Sequence, residues 1–424
     1  MKPRARSAKP PAAPTTRRID VRIKAGPLNA AARYEVLVGT GVLPGALSAL
    51  KDQPRAVLVV IDSGLGKPLV EPVLRELDRA KVRWGVCVVP ATEADKNLLT
   101  AERGLAEAGR LRLERGDVVL TLGGGITTDV GGFIASIYRR GVRTVHCPTT
   151  LLAMVDAAIG GKTAVNLSVP GDALSSSKPR LVKNLVGTFH QPVRVVCDVA
   201  ALATLPAREL RAGLAECIKH SLLGRTVKDP SLLRWIEERV PAILACDART
   251  MVELVARNAA AKARVVMADP LEASPKPDGG RMALNLGHTF AHAMETLPGL
   301  SWPVRDHPDR PAGASAAGTQ IGPLKHGEAV GLGLLAACRC AASLKLIKPA
   351  AAESLAGLVT RCGLPTAVRG LSDTGAIMER MMDDKKTSGG KLRLILPTTG
   401  GGCKVVVGPP PKAVAGAIDS LRLV

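Results

Sequence analysis

The sequence predicts a two-domain α/β protein, with a mostly parallel sheet in its first half and a mostly helical second half. Three observations support this prediction. The first half alternates short β-branched runs with amphipathic stretches, the second half has helical apolar spacing almost throughout, and 424 residues are enough for two separate cores. Strand–helix alternation is typical of a parallel sheet, whose ligands bind at the carboxyl ends of the strands.

The first domain is expected to span residues 19–206, after a basic, Pro- and Ala-rich tail (residues 1–18) that we expect to be disordered. Two amphipathic stretches, EPVLRELDRAK (71–81) and LTAERGLAEAGRLRL (99–113), predict helices between its strands. Its predicted buried strands are RAVLVVID (55–62), RWGVCVVP (83–90), DVVLTLGGG (117–125), VRTVHCP (142–148) and VRVVCDV (193–199).

The second domain, residues 207–424, is expected to be α-helical with one late strand, KLRLILP (391–397). Helical spacing continues after the first predicted helix, TLPARELRAGLAECIKHSLL, at 230–245, 249–269, 327–346 and 350–364. Segments rich in Pro, Gly, Ser and charged residues predict surface loops at 168–180, 273–280 and 301–323.

Composition narrows the functional class. Nine scattered cysteines without a CxxC pair argue for reduced thiols in a cytoplasmic protein rather than a disulfide framework or a cysteine zinc site. No apolar run approaches the length of a membrane span. The net charge of +21 would suit nucleic acid, but the basic residues are dispersed and aromatic residues for base stacking make up only 2%. We therefore expect neither a nucleic-acid nor a membrane partner, and interpret part of the charge as a site for an acidic substrate.

Two glycine-rich segments could bind oxyanions. Gly123–Gly125 follow a predicted strand and open a helix, so the backbone could approach a phosphate closely. A simple tight turn has the same pattern, and Asp129 is either a helix-dipole partner or a dinucleotide contact. Farther along, Lys162 follows two glycines and Asp156; it suits phosphate or carboxylate capture, or is a solvated loop lysine.

Three groups in the second half could hold a metal ion. Glu216 lies three residues before Lys219, which ordinarily indicates a helical ion pair, while His288 and His326 each lie beside a glycine at a predicted helix start. Two imidazoles and one carboxylate with an open position form the pattern of catalytic zinc, although each histidine alone could be a hydrogen-bonded core residue. HTFAH lacks the Glu of HExxH, so His292 need not be a ligand and could serve as an acid or base.

Six segments, taken together and in this order, resemble the 3-dehydroquinate synthase family. The resemblance runs from about Asp62 to the end of the chain. It is carried by GGGITTDVGGFIASIYRRG, PTTLLAMVDAAIGGKTAVN, LVKNLVGTFHQP, TLPARELRAGLAECIKH, LNLGHTFAHAMET and HGEAVGLG.

The resemblance implies an N-terminal Rossmann-like NAD domain, a mostly α-helical C-terminal metal-binding domain, and an active site in the cleft between them. The implied enzyme is a carbon–oxygen lyase of the shikimate pathway of aromatic amino acid biosynthesis. It converts 3-deoxy-D-arabino-heptulosonate 7-phosphate to 3-dehydroquinate and phosphate, using NAD catalytically and a divalent metal ion, Zn²⁺ or Co²⁺. Relative to the family, the three predicted loops resemble insertions.

The resemblance also implies roles for individual residues. The metal ligands would be Glu216, His288 and His326. The NAD contacts would be Asp62, Glu93, Lys96, Gly123, Gly124, Gly125, Asp129, Thr149, Thr150, Lys183 and Thr204. The residues expected to contact substrate or take part in catalysis are Asp156, Lys162, Asn184, Lys219, Lys262, Arg281, Asn285, His292 and one of Lys385 and Lys386, with Glu272 assisting proton transfer. Arg140 would reach the substrate from a partner subunit, which implies a homodimer.

Three other functions remain open at this point. One is a related sugar phosphate cyclase of the valiolone or inosose synthase type, although Lys262, Arg281, Asn285 and His292 match the dehydroquinate pattern. A second is a glycerol-dehydrogenase-like enzyme, which lacks GGKTAVN and GHTFAH. The third is a non-catalytic scaffold or basic nucleic-acid-binding protein, which we would expect to have lost a metal ligand.

Overall fold

The first half of the chain forms a seven-stranded sheet. The structure is a computed structural model, described here for residues 15–26, 29–170, 180–302, 323–383 and 390–423. The strands lie in the order β1-β2-β9-β6-β5-β3-β4, and all neighbours are parallel except β1 and β2. They are β1 (Arg17–Ile23), β2 (Ala32–Gly39), β3 (Ala56–Asp62), β4 (Arg83–Val89), β5 (Val118–Gly123), β6 (Arg143–Pro148) and β9 (Arg194–Asp198).

The five strands that the sequence predicts in this half are confirmed as β3, β4, β5, β6 and β9. Strands β1 and β2 escaped prediction, and β1 begins at Arg17, inside the segment predicted as a tail. RRIDVRI buries only Val21 and Ile23 completely, so its apolar signal is short and diluted by arginines. Of the predicted tail, residues 1–14 lie outside the described part of the chain.

Helices cover both faces of the sheet, as expected for parallel strands. They are α1 (Lys67–Arg79), α2 (Leu98–Arg110) and α3 (Gly125–Ile137). Helices α2 and α3 share one core with the sheet, which includes Leu58 and Ile134, while α1 packs into a second core that includes Val59 and Leu77. The predicted helices at 71–81 and 99–113 are therefore confirmed as α1 and α2.

A two-stranded hairpin, β7 (Lys162–Val169) with β8 (Arg180–Phe189), stands outside the main sheet. Strand β7 packs on α3. From the sequence we predicted a glycine-rich turn at the start of this hairpin and a loop at 168–180, so both strands were missed. Residues 171–179 lie outside the described residues. This hairpin carries Lys162, Lys183 and Asn184.

The second half is helical, with one small hairpin. The predicted helix at 230–245 is divided into two short ones, and the late strand is confirmed as β10. The elements are α4 (Ala207–Leu222), α5 (Leu232–Glu237), α6 (Val240–Leu244), α7 (Ala248–Ala268), α8 (His288–Glu295), α9 (His326–Ser343), α10 (Pro349–Arg361), α11 (Thr374–Asp383), β10 (Arg393–Thr398), β11 (Gly402–Val407) and α12 (Pro411–Asp419).

One continuous core joins the two halves. Helix α7 lies against β1 and β2, and the buried residues Val21 and Val36 of these strands belong to the same apolar cluster as Leu254 and Val255 of the helix. This shared core holds the helical half against one edge of the sheet. Among the described residues no helix combines the length and apolar composition needed to cross a bilayer.

Glycines bring α4, α8 and α9 almost into backbone contact. A Cβ at Gly327 would overlap the carbonyl oxygen of Ala212, and a Cβ at Gly333 would overlap that of Gly287. Gly287, which precedes α8, has φ +78°, a value that favours glycine. Only glycine fits these contacts without a shift of one helix, and these three helices carry Glu216, His288 and His326.

We expect Gly333→Ala to lower the free energy of unfolding by about 1–3 kcal/mol, because the new methyl group forces α9 away from the start of α8. The matched control is Gly416→Ala in α12, where no atom lies within 4 Å of the added Cβ. Since alanine is the better helix former, the control should raise stability by up to about 1 kcal/mol. Denaturant unfolding of both variants measures the difference, and equal effects would contradict the close-packing argument.

Candidate active site

Three potential metal ligands converge between α4, α8 and α9. The Nε2 atoms of His288 and His326 lie 3.4 and 3.6 Å from the same carboxylate oxygen, Oε1 of Glu216. One ligand atom from each of the three residues falls within 4.8 Å of the others. The structure thus assembles the set that the resemblance predicts, although its members are far apart in sequence.

The surroundings of Glu216 suit a bound cation. Its side chain is fully buried; the Lys219 ammonium contacts Oε2, whereas Oε1, the oxygen that faces both imidazoles, accepts no hydrogen bond from the described residues. A buried carboxylate with unsatisfied oxygens is costly unless a cation completes its coordination. Two imidazoles and one carboxylate form the donor set of catalytic zinc sites, which keep a further position open.

The protonation states of the three groups differ. Burial would raise the pKa of Glu216, but the nearby Lys219 and His288 hold it well below its usual value. Burial, helped by Lys219, lowers the pKa of His288 to about 4. Burial would also lower the pKa of His326, but the carboxylates of Glu216 and Glu295 raise it to about 9. His288 is therefore neutral at pH 7, whereas His326 is protonated and would have to release a proton to bind a metal ion.

Next to this triad, charges of alternating sign form a buried chain. Lys219 contacts both Glu216 and Asp156, the latter at 3.4 Å, and Lys262 contacts Asp156 from α7. Asp156 lies in a single π turn (Ala153–Ala157), a distortion frequent at functional sites. Burial lowers the pKa of Lys262 to about 8 despite the attraction of Asp156. The ammonium groups are thus held in place by carboxylates and remain close to the metal ligands.

A second polar cluster joins the hairpin to the segment before α8. Lys162 forms an ion pair with Glu272, which also accepts a hydrogen bond of 2.8 Å from the Asn285 amide. Arg281 lies beneath Phe189, and its guanidinium donates to the carbonyl oxygens of Pro270 and Gly160 at 2.5 and 2.9 Å. Arg281 is almost fully buried, whereas the Lys162 side chain is half exposed.

The predicted NAD contacts lie at the carboxyl edge of the sheet. Asp62 ends β3, Gly123 ends β5, and Thr149 follows β6, with its amide donating to the Gly123 carbonyl at 2.9 Å. After β3 the chain forms β4 on one side of β3 and then crosses over to form β5 on its other side. The direction in which strands are added to the sheet therefore reverses between β3 and β5. Open α/β sheets bind their ligands in the crevice at such a reversal.

The turn at this reversal is packed too closely for any residue but glycine. A Cβ at Gly123 would lie 2.8 Å from the Asp62 side chain and 2.6 Å from the Thr127 hydroxyl, and one at Gly124 would meet Thr150 at 3.2 Å. The Thr127 hydroxyl is buried and has no hydrogen-bond partner among the described residues. A glycine turn at a helix start, beside a buried hydroxyl without a hydrogen-bond partner, suits a dinucleotide pyrophosphate.

The hairpin also meets the NAD side of the cleft. Lys96 contacts both Asp129 of α3 and the Asn184 side chain. The Asn166 side chain of β7 donates a hydrogen bond of 2.7 Å to the Glu93 carboxylate and accepts one of 2.9 Å from the backbone N–H of Asn184. Asn166 could not be singled out from the sequence, because its partners, Glu93 and Asn184, are distant along the chain.

Some predicted residues stand apart from these clusters. Arg140 is exposed beyond the far end of α3, with left-handed backbone, and Thr204 is exposed with its hydroxyl bonded to the Ala201 carbonyl at 3.0 Å. Lys385 and Lys386 lie outside the described residues. His292, by contrast, is exposed but adjoins the triad, with its ring centroid 5.6 Å from that of His288 and 6.2 Å from that of His326.

Sequence reasoning missed Glu295, the last residue of α8. Its carboxylate lies 3.3 Å from Nδ1 of His326 and 2.9 Å from the ammonium of Lys183. Glu295 stands within LNLGHTFAHAMET, seven residues beyond His288, so a helical-spacing argument extended by one turn past His292 would have found it.

Comparison with known proteins matches both halves of the chain to one family. The family model described as 3-dehydroquinate synthase N-terminal matches residues 86–212, and the one described as 3-dehydroquinate synthase C-terminal matches residues 213–303 and 314–387. The unmatched residues 304–313 fall inside the loop predicted at 301–323. A 3-dehydroquinate synthase of Xylella fastidiosa (strain 9a5c) is 36% identical over 366 residues, covering 86% of this chain and 84% of the relative.

Solved structures share the fold. A 2-epi-5-epi-valiolone synthase (ValA) from Streptomyces hygroscopicus subsp. jinggangensis 5008, with NAD⁺ and Zn²⁺ bound, has a TM-score of 0.72 at 25% identity. A 2-deoxy-scyllo-inosose synthase, complexed with carbaglucose-6-phosphate, NAD⁺ and Co²⁺, has a TM-score of 0.72 at 21% identity. In both cases the match covers 94% of this chain and 99% of the other.

The geometry predicts different roles for the two histidines of α8. We expect His288→Ala to abolish stable binding of Co²⁺, since it removes one of three ligands, and His292→Ala to retain it. Metal content after dialysis and titration with Co²⁺ measure both. Loss of the metal from the His292 variant would contradict the assignment of Glu216, His288 and His326 as the ligand set.

Proposed function

The chain belongs to the 3-dehydroquinate synthase family, and we propose that its cleft converts 3-deoxy-D-arabino-heptulosonate 7-phosphate to 3-dehydroquinate and phosphate. The observation that carries the proposal is the convergence of Glu216, His288 and His326 beside the buried Lys219–Asp156–Lys262 chain. A metal-binding triad alone fits many enzymes. A triad flanked by several fixed cations fits a substrate with both a carboxylate and a phosphate.

Two groups complete the site in this proposal. Glu216, His288 and His326 would hold one divalent ion, Zn²⁺ or Co²⁺, while the glycine turn at Gly123–Gly125 and the carboxyl ends of β3, β5 and β6 would hold NAD. When bound, this pair supplies a reversible hydride transfer at a polarised hydroxyl, so that the cofactor is regenerated and the net reaction is loss of phosphate.

The chain's own residues would bind and orient the substrate. Lys162, Lys219 and Lys262 present ammonium groups that can meet the phosphate and carboxylate oxygens from several directions. Asn285 and His292 are further contacts from the segment around α8 that the family resemblance implies, as are Asn184 of the hairpin and one of Lys385 and Lys386. Holding several groups of one flexible sugar acid in a single geometry removes most of the entropic barrier to ring closure.

Glu272 is placed to assist proton transfer. It is mostly buried and shared between Lys162 and Asn285; burial would raise its pKa, but Lys162 lowers it below the usual value. The group is therefore a carboxylate at neutral pH, able to accept a proton from a substrate that displaces Lys162. Arg281, which donates to two backbone carbonyls, would act mainly by shaping this pocket.

The proposal extends to the oligomeric state and the cellular location of the protein. Arg140 contacts none of the site clusters and is exposed, as expected if it serves the site of a partner subunit in a homodimer. All nine cysteines are free, and eight are buried. Unpaired thiols persist in a reducing compartment, which supports a cytoplasmic location.

A second candidate is a related sugar phosphate cyclase, because the two solved structures described above belong to that group. The dehydroquinate reaction is favoured because Lys262, Arg281, Asn285 and His292 match the dehydroquinate pattern that the family resemblance implies.

We expect purified protein with NAD⁺ and Zn²⁺ to release phosphate from the heptulosonate phosphate and to form 3-dehydroquinate in equal amounts. A chelator should abolish both, and added Co²⁺ or Zn²⁺ should restore them. Glucose 6-phosphate, whose carbocyclic analogue occupies the inosose synthase, is the control substrate. Phosphate release from the control at a comparable rate, without dehydroquinate formation, would refute the proposal.

We also expect substrate binding to weaken as the pH rises through about 8. The pKa of Lys262 is lowered to about 8 by burial, so its ammonium loses its charge, and its attraction for the substrate anion, above that pH. The pH profile of kcat/KM should therefore show a descending limb near 8, and Lys262→Arg, which stays charged, should move the limb to higher pH. An unchanged limb in that variant would show that another group titrates.

A further inference from the structure

We propose that Glu295 is a positioning residue that fixes the His326 imidazole for metal binding. The inference deepens the proposed function and rests on its assignment of His326 as a metal ligand. It concerns a residue outside the predicted ligand, substrate and NAD sets.

The two nitrogens of His326 face two different carboxylates. Nε2 lies 3.6 Å from Oε1 of Glu216, on the side where the ligand atoms converge, while Nδ1 lies 3.3 Å from Oε2 of Glu295. Glu295 therefore accepts a hydrogen bond from Nδ1–H, which leaves Nε2 for the metal ion. Carboxylates in this position set the tautomer and orientation of a metal-binding imidazole and increase its basicity.

His288 is oriented by a different kind of partner. Its Nδ1 lies 3.2 Å from the backbone carbonyl of Leu286, and its Nε2 points to Glu216. Both rings thus present Nε2 to the site, but one is anchored by a neutral carbonyl and the other by an anion. A side-chain anchor can be removed by substitution, so the role of Glu295 can be tested directly.

The Glu295 carboxylate is itself held in place. Its other oxygen, Oε1, accepts a hydrogen bond of 2.9 Å from Lys183 of β8, and only 11% of its side chain is exposed. Lys183 in turn lies 3.5 Å from Glu93, beyond β4. With both oxygens occupied, the carboxylate cannot rotate freely, and the imidazole that it holds is fixed with it.

The same residues allow one competing role. One ligand atom each from His292, Glu295 and His326 also falls within 4.8 Å of the others. In that arrangement Glu295 would bind the ion directly. The two roles differ in outcome, because loss of a ligand removes the ion, whereas loss of an orienting partner weakens its binding.

The test compares Glu295→Gln and Glu295→Ala with the wild-type protein loaded with Co²⁺. We expect Co²⁺ affinity to fall roughly 10- to 100-fold and the visible Co²⁺ absorption to change, with the alanine variant more affected. The glutamine side chain has the same shape and can still accept a hydrogen bond from Nδ1–H, but it lacks the negative charge. Titration calorimetry measures the Co²⁺ affinity, and absorption spectroscopy measures the Co²⁺ spectrum; neither depends on turnover.

The matched control is Glu209→Gln. Glu209 forms an ion pair with Lys325, the residue directly before His326, but does not contact the imidazole. This control should leave the Co²⁺ affinity and spectrum unchanged. Wild-type behaviour in both Glu295 variants would overturn the proposal, and so would complete loss of Co²⁺ from both, to the level of His288→Ala, because it would make Glu295 a ligand.

The outcome is separable from that of the proposed function. If wild-type protein binds Co²⁺ through His288 but does not release phosphate from the heptulosonate phosphate, the proposed reaction fails, and the Glu295 result still stands. If the reaction proceeds and both Glu295 variants bind Co²⁺ normally, only the positioning role fails.

Discussion

The structure depends on one buried anion, the carboxylate of Glu216. It has no exposure to solvent, and its Oε1 accepts no hydrogen bond from the described residues, so the cost of burying it must be offset by cations around it. Lys219 supplies one, and a divalent ion between two imidazoles would supply the other. This requirement explains why three helices from distant parts of the chain approach so closely, and why Gly287 and Gly333 lie where they meet.

From Glu216 the charges continue in alternation through Lys219 and Asp156 to Lys262. Removing any one of these four residues would leave its neighbour as an unpaired buried charge. The four charges therefore act as one unit rather than as separate ion pairs. Each lysine is held by a carboxylate, and its ammonium group keeps N–H donors that are available to a ligand. A doubly anionic substrate that enters beside them meets ammonium groups already in position and needs little reorganisation to be bound.

The sequence predicted the parts of the molecule that have a local signal. The central strands are continuous apolar runs, and the two histidines proposed as ligands lie beside glycines at helix starts. Strand β1 was missed because only two of its side chains are fully buried, and its register depends on β2. The β7–β8 hairpin and Glu295 were missed for another reason. Their roles arise from partners more than ten residues away, and for Lys183 and Glu295 the separation is over a hundred.

That hairpin is also the element that spans the cleft. On one side Asn184 contacts Lys96, at the carboxyl edge of the sheet where NAD is proposed to bind. On the other side Lys162 meets Glu272, and Lys183 meets Glu295 in the helical half. The shared core under β1 and β2 fixes the two halves from below, but these polar contacts are the ones that close around the site. We therefore expect changes in the hairpin to affect the crevice proposed for NAD and, through Glu295, the imidazole of His326 that is proposed to bind the metal ion.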